Sequence, residues 1–285
     1  MNPLVSAGWL SSRLNDPDTV VLDATLAHVG VTPPIDTRAL YLERHIPGAV
    51  FFDIEGLSDH ATSLPHMLPT PEDFARSMTA LGVGSDMTIV VYEQVGVFSA
   101  PRAWWTLRAF GAQKVYMLDG GLRAWMDAGF GVESGPVQRG PARFESKLHR
   151  EAVKDFDQVR DMIAGRAQIR PQIVDARSAG RFAGVLPEPR TGIESGHMPR
   201  AVNVPFTDLV EDGRLKPAEK LREVFAAKGV DMLMPITTTC GSGITAAVLA
   251  LGLEIAGARS VSLYDGSWAE YAQRPEAVIH KGAGE

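Results

Sequence analysis

The sequence predicts an α/β chain built from two tandem copies of one domain, each a mostly parallel central sheet flanked by helices. Three observations carry this. Short apolar, β-branched runs alternate with helical runs along the chain, the pattern of strand–helix crossovers in parallel sheets. A set of landmarks in the first half returns in the same order in the second, which is the mark of an internal repeat. Between the halves, residues 134 to 150 hold Gly135, Pro136, Gly140 and Pro141 with scattered charge and little periodicity, as linkers do. The expected division is a first domain over 1–135, a linker over 136–152 and a second domain over 153–285.

The elements follow in order. Ser6 is placed to cap a short helix through Leu14, its hydroxyl accepting a backbone N–H of the first turn. Val20 to Asp23 reads as a buried strand, and residues 24 to 44 as a polar, Pro-containing connection. His45-Ile46-Pro47-Gly48 is a turn leading into the apolar strand Ala49 to Phe52, and a long loop with Asp53, Glu55, His60 and His66 follows. Thr70-Pro71-Glu72-Asp73 starts a helix, with a capping hydroxyl, proline at the first position and acids in the first turn. Phe74, Met78 and Leu81 share one face of it and Gly82 ends it. Thr88 to Tyr92 is a buried strand, Ala100 to Phe110 a helix, Val115 to Leu118 a strand, and Leu122 to Ala128 a helix after the turn Asp119-Gly120-Gly121.

The second half repeats this. Ile173-Val174-Asp175 matches Val21-Leu22-Asp23, and His197-Met198-Pro199-Arg200-Ala201 matches His45-Ile46-Pro47-Gly48-Ala49 at the same distance from the aspartate. Pro217 to Lys228, closed by Gly229, matches the helix closed by Gly82, and Tyr264-Asp265-Gly266 matches Leu118-Asp119-Gly120. Setting Tyr92 on Thr239 places Glu93 on Cys240 and Gly96 on Gly243. His45 and His197 occur in both copies, which assigns them to the turn rather than to chemistry.

With 45% hydrophobic and 22% charged residues over 285 positions, the chain has enough apolar surface for two cores. A net charge of −6 without a Lys/Arg block argues against nucleic acid or an anionic membrane as partner. No apolar run is long enough to span a bilayer and the N-terminus has no signal or transit pattern. A single cysteine makes no internal disulfide and fits a reducing compartment. The expected location is the cytoplasm.

That cysteine lies in the stretch most suited to chemistry. Ile236 to Thr239 reads as a strand end, Ile244 onward as a helix, and Cys240-Gly241-Ser242-Gly243 as the turn between them. Backbone N–H groups at a helix N-terminus favour an anion, and so favour a thiolate. Taken alone, Cys240 is either a small buried hydrophobe or a nucleophile. Its counterpart in the first copy is Glu93, so packing of this fold does not demand a thiol there. The second copy is therefore expected to be the active one. An arginine six residues after the cysteine, as a cysteine phosphatase requires, is absent, since that position is Ala246. The dispersed histidines give no zinc ligand set, and no phosphate or dinucleotide glycine loop is present; no cofactor or metal is expected.

The duplicated domain, the His-Ile-Pro-Gly-Ala and His-Met-Pro-Arg-Ala stretches and the cysteine loop resemble the two-domain rhodanese-type sulfurtransferases over nearly the whole chain. Phe98 to Trp105 and Leu118 to Leu122 are close to that family's first-domain motifs. Cys240 to Ala246 and Tyr264-Asp265-Gly266-Ser267-Trp268 resemble its mercaptopyruvate branch, with Ile244 where valine is usual. The thiosulfate branch carries Arg and Lys at the positions of Gly241 and Ser242. The resemblance implies two rhodanese-like domains and a Cys240 persulfide. The sulfur would come from 3-mercaptopyruvate, with pyruvate released. It would pass to cyanide or to a thiol such as a thioredoxin-like protein or a small dithiol. The same resemblance implies substrate contacts from Arg181, Arg190, Gly241, Gly243, Ile244 and Thr245. It further implies a relay of Ser242, His66 and Glu55, the last one methylene longer than the aspartate often found there. Read by themselves, Ser242 is a turn residue or a proton relay, His66 braces a loop or joins that relay, and Arg177 and Arg200 are structural or exposed. The alternatives are a thiosulfate sulfurtransferase and a non-catalytic persulfide carrier or sensor.

Overall fold

The computed structural model describes residues 2–167, 171–282 and 284. The chain forms two compact units: Met1–Asp59 with Leu68–His149, and His60–Met67 with Arg150–Glu285. Most of the long loop before Thr70 is thus divided between them, and the segment carrying His66 belongs with the second unit.

The first unit contains β1 (Leu4–Val5), α1 (Ala7–Ser11), β2 (Thr19–Asp23), α2 (Thr37–Glu43), β3 (Val50–Phe51), α3 (Pro71–Ala80), β4 (Thr88–Tyr92), α4 (Ala100–Ala109), β5 (Lys114–Leu118) and α5 (Gly121–Asp127). Its sheet has the order β1-β5-β4-β2-β3, and every pair is parallel. The central strands are buried, as expected of a sheet covered on both faces. Ser6 and Thr70 cap α1 and α3 as the sequence indicates, each accepting the N–H three residues on at 3.1 Å. The helix α1 ends at Ser11 rather than Leu14. The helix α2 was not expected. Asp36 caps it by accepting the Ala39 N–H at 2.9 Å, but only Tyr41 is buried, so it shows no apolar stripe to read. Trp104, Trp105 and Phe110 lie in the core of this unit. Residues 142, 147 and 149 bond back to Thr79, Phe110 and Ala109, so the segment after the last helix runs along this unit.

The second unit contains β6 (Val153–Lys154), α6 (Phe156–Ile163), β7 (Gln172–Asp175), α7 (Ala179–Phe182), β8 (Val202–Asn203), the hairpin pair β9 (Val210–Glu211) and β10 (Arg214–Leu215), α8 (Ala218–Ala227), β11 (Ile236–Thr239), α9 (Ile244–Ala256), β12 (Val261–Tyr264) and α10 (Ser267–Tyr271). The main sheet runs β6-β12-β11-β7-β8, again all parallel. Position for position this is the strand order of the first unit, so the repeat read from the sequence is a repeat of topology. The helix α9 is apolar on nearly all sides and correspondingly buried. Leu209 and Phe225 pack so closely on Gly252 that a Cβ there would come within 2.6 Å of Leu209.

The two repeated turn histidines do the same work in each copy. His45 Nδ1 lies 2.9 Å from the Tyr41 carbonyl, and its ring stacks on Tyr41. His197 Nδ1 lies 2.9 Å from the Phe182 carbonyl, and its ring stacks on Phe182. Both are buried turn braces, as their presence in both copies indicates.

Candidate active site

In a parallel α/β sheet, ligands gather beyond the carboxyl ends of the strands. Cys240 is the residue immediately after β11, and the loop 240–243 joins it to α9. Three of the four β11 residues are threonine, whose β-branching suits the strand. Two of those hydroxyls are used within the sheet, Thr237 with Ser262 Oγ at 3.0 Å and Thr238 with the Ser262 carbonyl at 3.3 Å. Gly243 turns the chain into the helix with φ +81°, a left-handed conformation that costs glycine little. Gly96, its partner in the repeat, has φ +82°.

The loop is held from behind by α10. The backbone N–H groups of Trp268 and Ala269 donate to the carbonyls of Cys240 and Gly241, both at 2.9 Å. Ser267 Oγ accepts the Cys240 N–H at 3.3 Å and donates to the Tyr264 carbonyl at 2.8 Å. With its carbonyl and N–H both engaged, Cys240 is fixed in backbone position, and it is 2% exposed.

Around this loop the second unit gathers most of the residues singled out in the sequence. His66 is buried, with Nδ1 3.0 Å from Ser242 Oγ and 3.2 Å from the Ser242 carbonyl oxygen. A carbonyl only accepts, so in the tautomer with its proton on Nδ1 the histidine donates toward both serine oxygens. Gly241 faces both arginines: a Cβ built on it would lie 2.9 Å from Arg181 Nη2 and 4.0 Å from Arg190 Nη1. Ile244 is buried and Thr245 half-buried in the first turn of α9. Glu55 lies in the first unit, exposed, in the turn after β3, where its carbonyl accepts the Ser58 N–H at 3.1 Å. Arg200 is exposed.

Arg177, read from the sequence as structural or exposed, is structural, and Glu188, given no role there, joins it. Arg177 has a fully buried side chain. Asp175 takes its Nε at 3.1 and 3.0 Å and its Nη2 at 2.6 Å, and the Gly196 carbonyl takes Nη2 at 2.7 Å. Burial works to lower its pKa, but the Asp175 and Glu188 carboxylates outweigh that and raise it. Glu188, likewise buried, bonds both Arg177 and Arg181. No group of three or more metal-ligating side chains occurs among the described residues, and no helix among them is long and apolar enough to cross a membrane.

The equivalent place in the first unit shows what the fold does without a thiol. Glu93 follows β4, and its carbonyl accepts the Leu122 N–H at 3.1 Å, matching Cys240 and Trp268. Its carboxylate bends back into the loop and accepts the N–H groups of Phe98 (2.7 Å), Ser99 (3.1 Å) and Ala100 (3.1 Å), with the Ser99 hydroxyl at 3.2 Å. The anion site at the start of α4 is filled by the protein's own side chain. Burial nevertheless pushes the Glu93 carboxyl up to about 7, against the opposing pull of those four donors.

The architecture and this loop define a tandem α/β protein with a cysteine at the carboxyl end of the central strand in its second copy and a glutamate in its first. A sequence model of the rhodanese-like domain matches residues 6–128 and 155–274, so the chain belongs to the rhodanese family and is a sulfurtransferase. It is 44% identical over 275 residues to the 3-mercaptopyruvate sulfurtransferase of Escherichia coli K12, covering 96% of each chain. It is 41% identical over 291 residues to the thiosulfate sulfurtransferase of Bos taurus, covering 99% of this chain and 96% of that one. The solved structure of Escherichia coli SseA, described as a 3-mercaptopyruvate sulfotransferase of rhodanese fold, superposes with a TM-score of 0.86 at 42% identity, over 95% of this chain and 100% of that one.

Proposed function

We propose that the chain transfers sulfur from 3-mercaptopyruvate, through a persulfide on Cys240, to a thiol or cyanide acceptor, with release of pyruvate. The observation that carries this reading is the convergence of Arg181 and Arg190 on Gly241, one residue from the thiol. Two guanidinium groups suit the carboxylate and carbonyl of a 2-oxo acid.

The Cys240 thiolate attacks the substrate sulfur. The C3–S bond breaks with its electron pair moving to C3, where the adjacent carbonyl holds it as an enolate. The proton of the substrate thiol ends on C3 by way of Ser242 and His66, whose Nδ1–H points at the serine, and pyruvate leaves. The outer sulfur remains on Cys240 as a persulfide anion. Loop N–H groups at the start of α9 are suited to hold that charge. An acceptor thiolate then attacks the outer sulfur, the S–S bond breaks, and the Cys240 thiolate is restored. A thioredoxin-like protein or a small dithiol is the acceptor class, the cytoplasm the expected setting, and the second domain the catalytic one.

The bovine relative supports one competing reading, thiosulfate as donor. Here Gly241 and Ser242 offer no cation to the second charge of thiosulfate. The test measures pyruvate and thiocyanate formed with each donor side by side. Turnover with 3-mercaptopyruvate well above that with thiosulfate, lost in Cys240→Ser, is expected. Equal or faster turnover of thiosulfate rejects the substrate assignment, and activity retained in Cys240→Ser rejects the persulfide route.

A further inference from the structure

A buried carboxylate that the steps above do not use lies behind the arginines. The Glu188 side chain is 3% exposed and bridges two guanidinium groups. Its Oε1 accepts Arg177 Nη1 at 2.8 Å, and its Oε2 accepts both Nε, at 3.1 Å, and Nη2 of Arg181. Arg177 is itself immobile, held by Asp175 and the Gly196 carbonyl and seated 4.1 Å over the Trp268 ring. Four alternating charges, Asp175, Arg177, Glu188 and Arg181, therefore run from the end of β7 to the face of Gly241.

The fold does not require this chain of ions. In the first unit Asp23 ends the equivalent strand, and the residue in the place of Arg177 is Thr25. There Asp23 is satisfied by Thr25 and by Gln94 Nε2 at 2.8 Å. The ionic chain accompanies the thiol, not the sheet.

We propose that Glu188 is a positioning residue that holds Arg181 in its substrate-binding pose beside Cys240. The proposal rests on the reading of Arg181 as a ligand of the substrate carboxylate. A free arginine side chain loses rotamer freedom when it binds an anion. Glu188 removes that freedom beforehand, engaging Nε–H and one N–H of Nη2 and leaving three of the five guanidinium N–H groups for the ligand. Preorganisation of this kind improves ground-state and transition-state binding alike, so it is read in KM.

The experiment measures KM and kcat for pyruvate release from 3-mercaptopyruvate in wild type, Glu188→Gln, Arg181→Ala and the double variant, with thermal unfolding of each. Glu188→Gln is expected to raise KM by roughly five- to tenfold with kcat nearly unchanged. Arg181→Ala should raise KM at least as far, and the double variant no further than Arg181→Ala alone. Glu188→Asp, which keeps the charge on a shorter arm, should recover part of the loss. Any fall in Tm from the weakened Arg177 contact should appear in both backgrounds, whereas the KM effect should need Arg181. An equal KM rise on adding Glu188→Gln to Arg181→Ala would assign Glu188 a structural role only and overturn the proposal. So would an unchanged KM in Glu188→Gln beside a raised KM in Arg181→Ala. An unchanged KM in Arg181→Ala would remove the carboxylate reading itself, and the proposal with it.

Discussion

His66 Nδ1 stands 3.0 Å from Ser242 Oγ, across 176 positions of sequence, and both side chains are buried. The same nitrogen also faces the Ser242 carbonyl oxygen at 3.2 Å, a geometry that suits the proposed proton relay. Ser242→Ala and His66→Asn are therefore expected to slow kcat by about a hundredfold while still forming the Cys240 persulfide. Steady-state kinetics with 3-mercaptopyruvate, alongside the mass of the sulfur-loaded protein, checks this. Wild-type kcat in both variants would reduce the pair to a brace for the loop.

Gly241 leaves no room for a side chain between the loop and Arg181. A methyl group there would approach Nη2 to 2.9 Å, and Glu188 holds that guanidinium in place. Gly241→Ala should raise KM for 3-mercaptopyruvate by about tenfold. Because the displaced group is a partly exposed arginine end rather than core, Tm should move by only a few degrees. A large loss of Tm with unchanged KM would show the glycine to be a folding requirement instead.

Glu93 makes stability depend on pH with a definite sign. Its carboxyl ionises near 4.5 when unperturbed and at about 7 in the folded protein, chiefly through burial. Between those values the folded state holds more protons than the unfolded chain, so this residue's contribution falls as pH rises through that window. The full loss is on the order of 3 kcal/mol. Glu93→Gln should abolish this slope. The difference in unfolding free energy between wild type and variant, measured at pH 5 and pH 8, should shift in the variant's favour at the higher pH. Parallel curves would count against a neutral carboxyl in the folded state.

Arg177 is buried between two carboxylates. Arg177→Met would leave Asp175 and Glu188 without their central cation, at a cost of about 3–5 kcal/mol. Denaturant unfolding should show a lower midpoint with an unchanged slope. A variant as stable as wild type would mean the two acids take up protons or find other donors.

Much of this architecture is legible in the residues themselves, because a duplicated fold writes its strand ends twice. Asp23 and Asp175, and His45 and His197, each do one structural task in both copies, and Gly96 and Gly243 share a left-handed backbone, so each pair supports the other. The cysteine loop is legible for a related reason: a thiol stands where the other copy has Glu93. The helix α2 escaped because its cap is clear but its buried face is a single tyrosine. Arg177 is legible only as structural or exposed, and the bridge through Glu188 not at all, because an arginine and a glutamate in polar loops look alike whether solvated or buried, and only tertiary packing closes water out around them. The grouping of residues 60–67 with the second unit is equally a tertiary fact, since nothing local in a proline-rich loop states which core it joins.

One backbone detail sets a limit on how far the two copies can exchange sequence. Ser267 sits at φ +49°, where the first copy has Gly121 at φ +57°. A left-handed serine costs on the order of 1–3 kcal/mol, and its hydroxyl receives the Cys240 N–H in return. The reverse replacement is closed: a Cβ at Gly121 would lie 2.3 Å from the Glu93 carbonyl oxygen. A recombination event that copied the second turn into the first would therefore damage the protein. The opposite event would relax the backbone but release the thiol's residue. At this turn the two copies are no longer interchangeable: the first admits only glycine, and the second uses its serine to hold the cysteine loop.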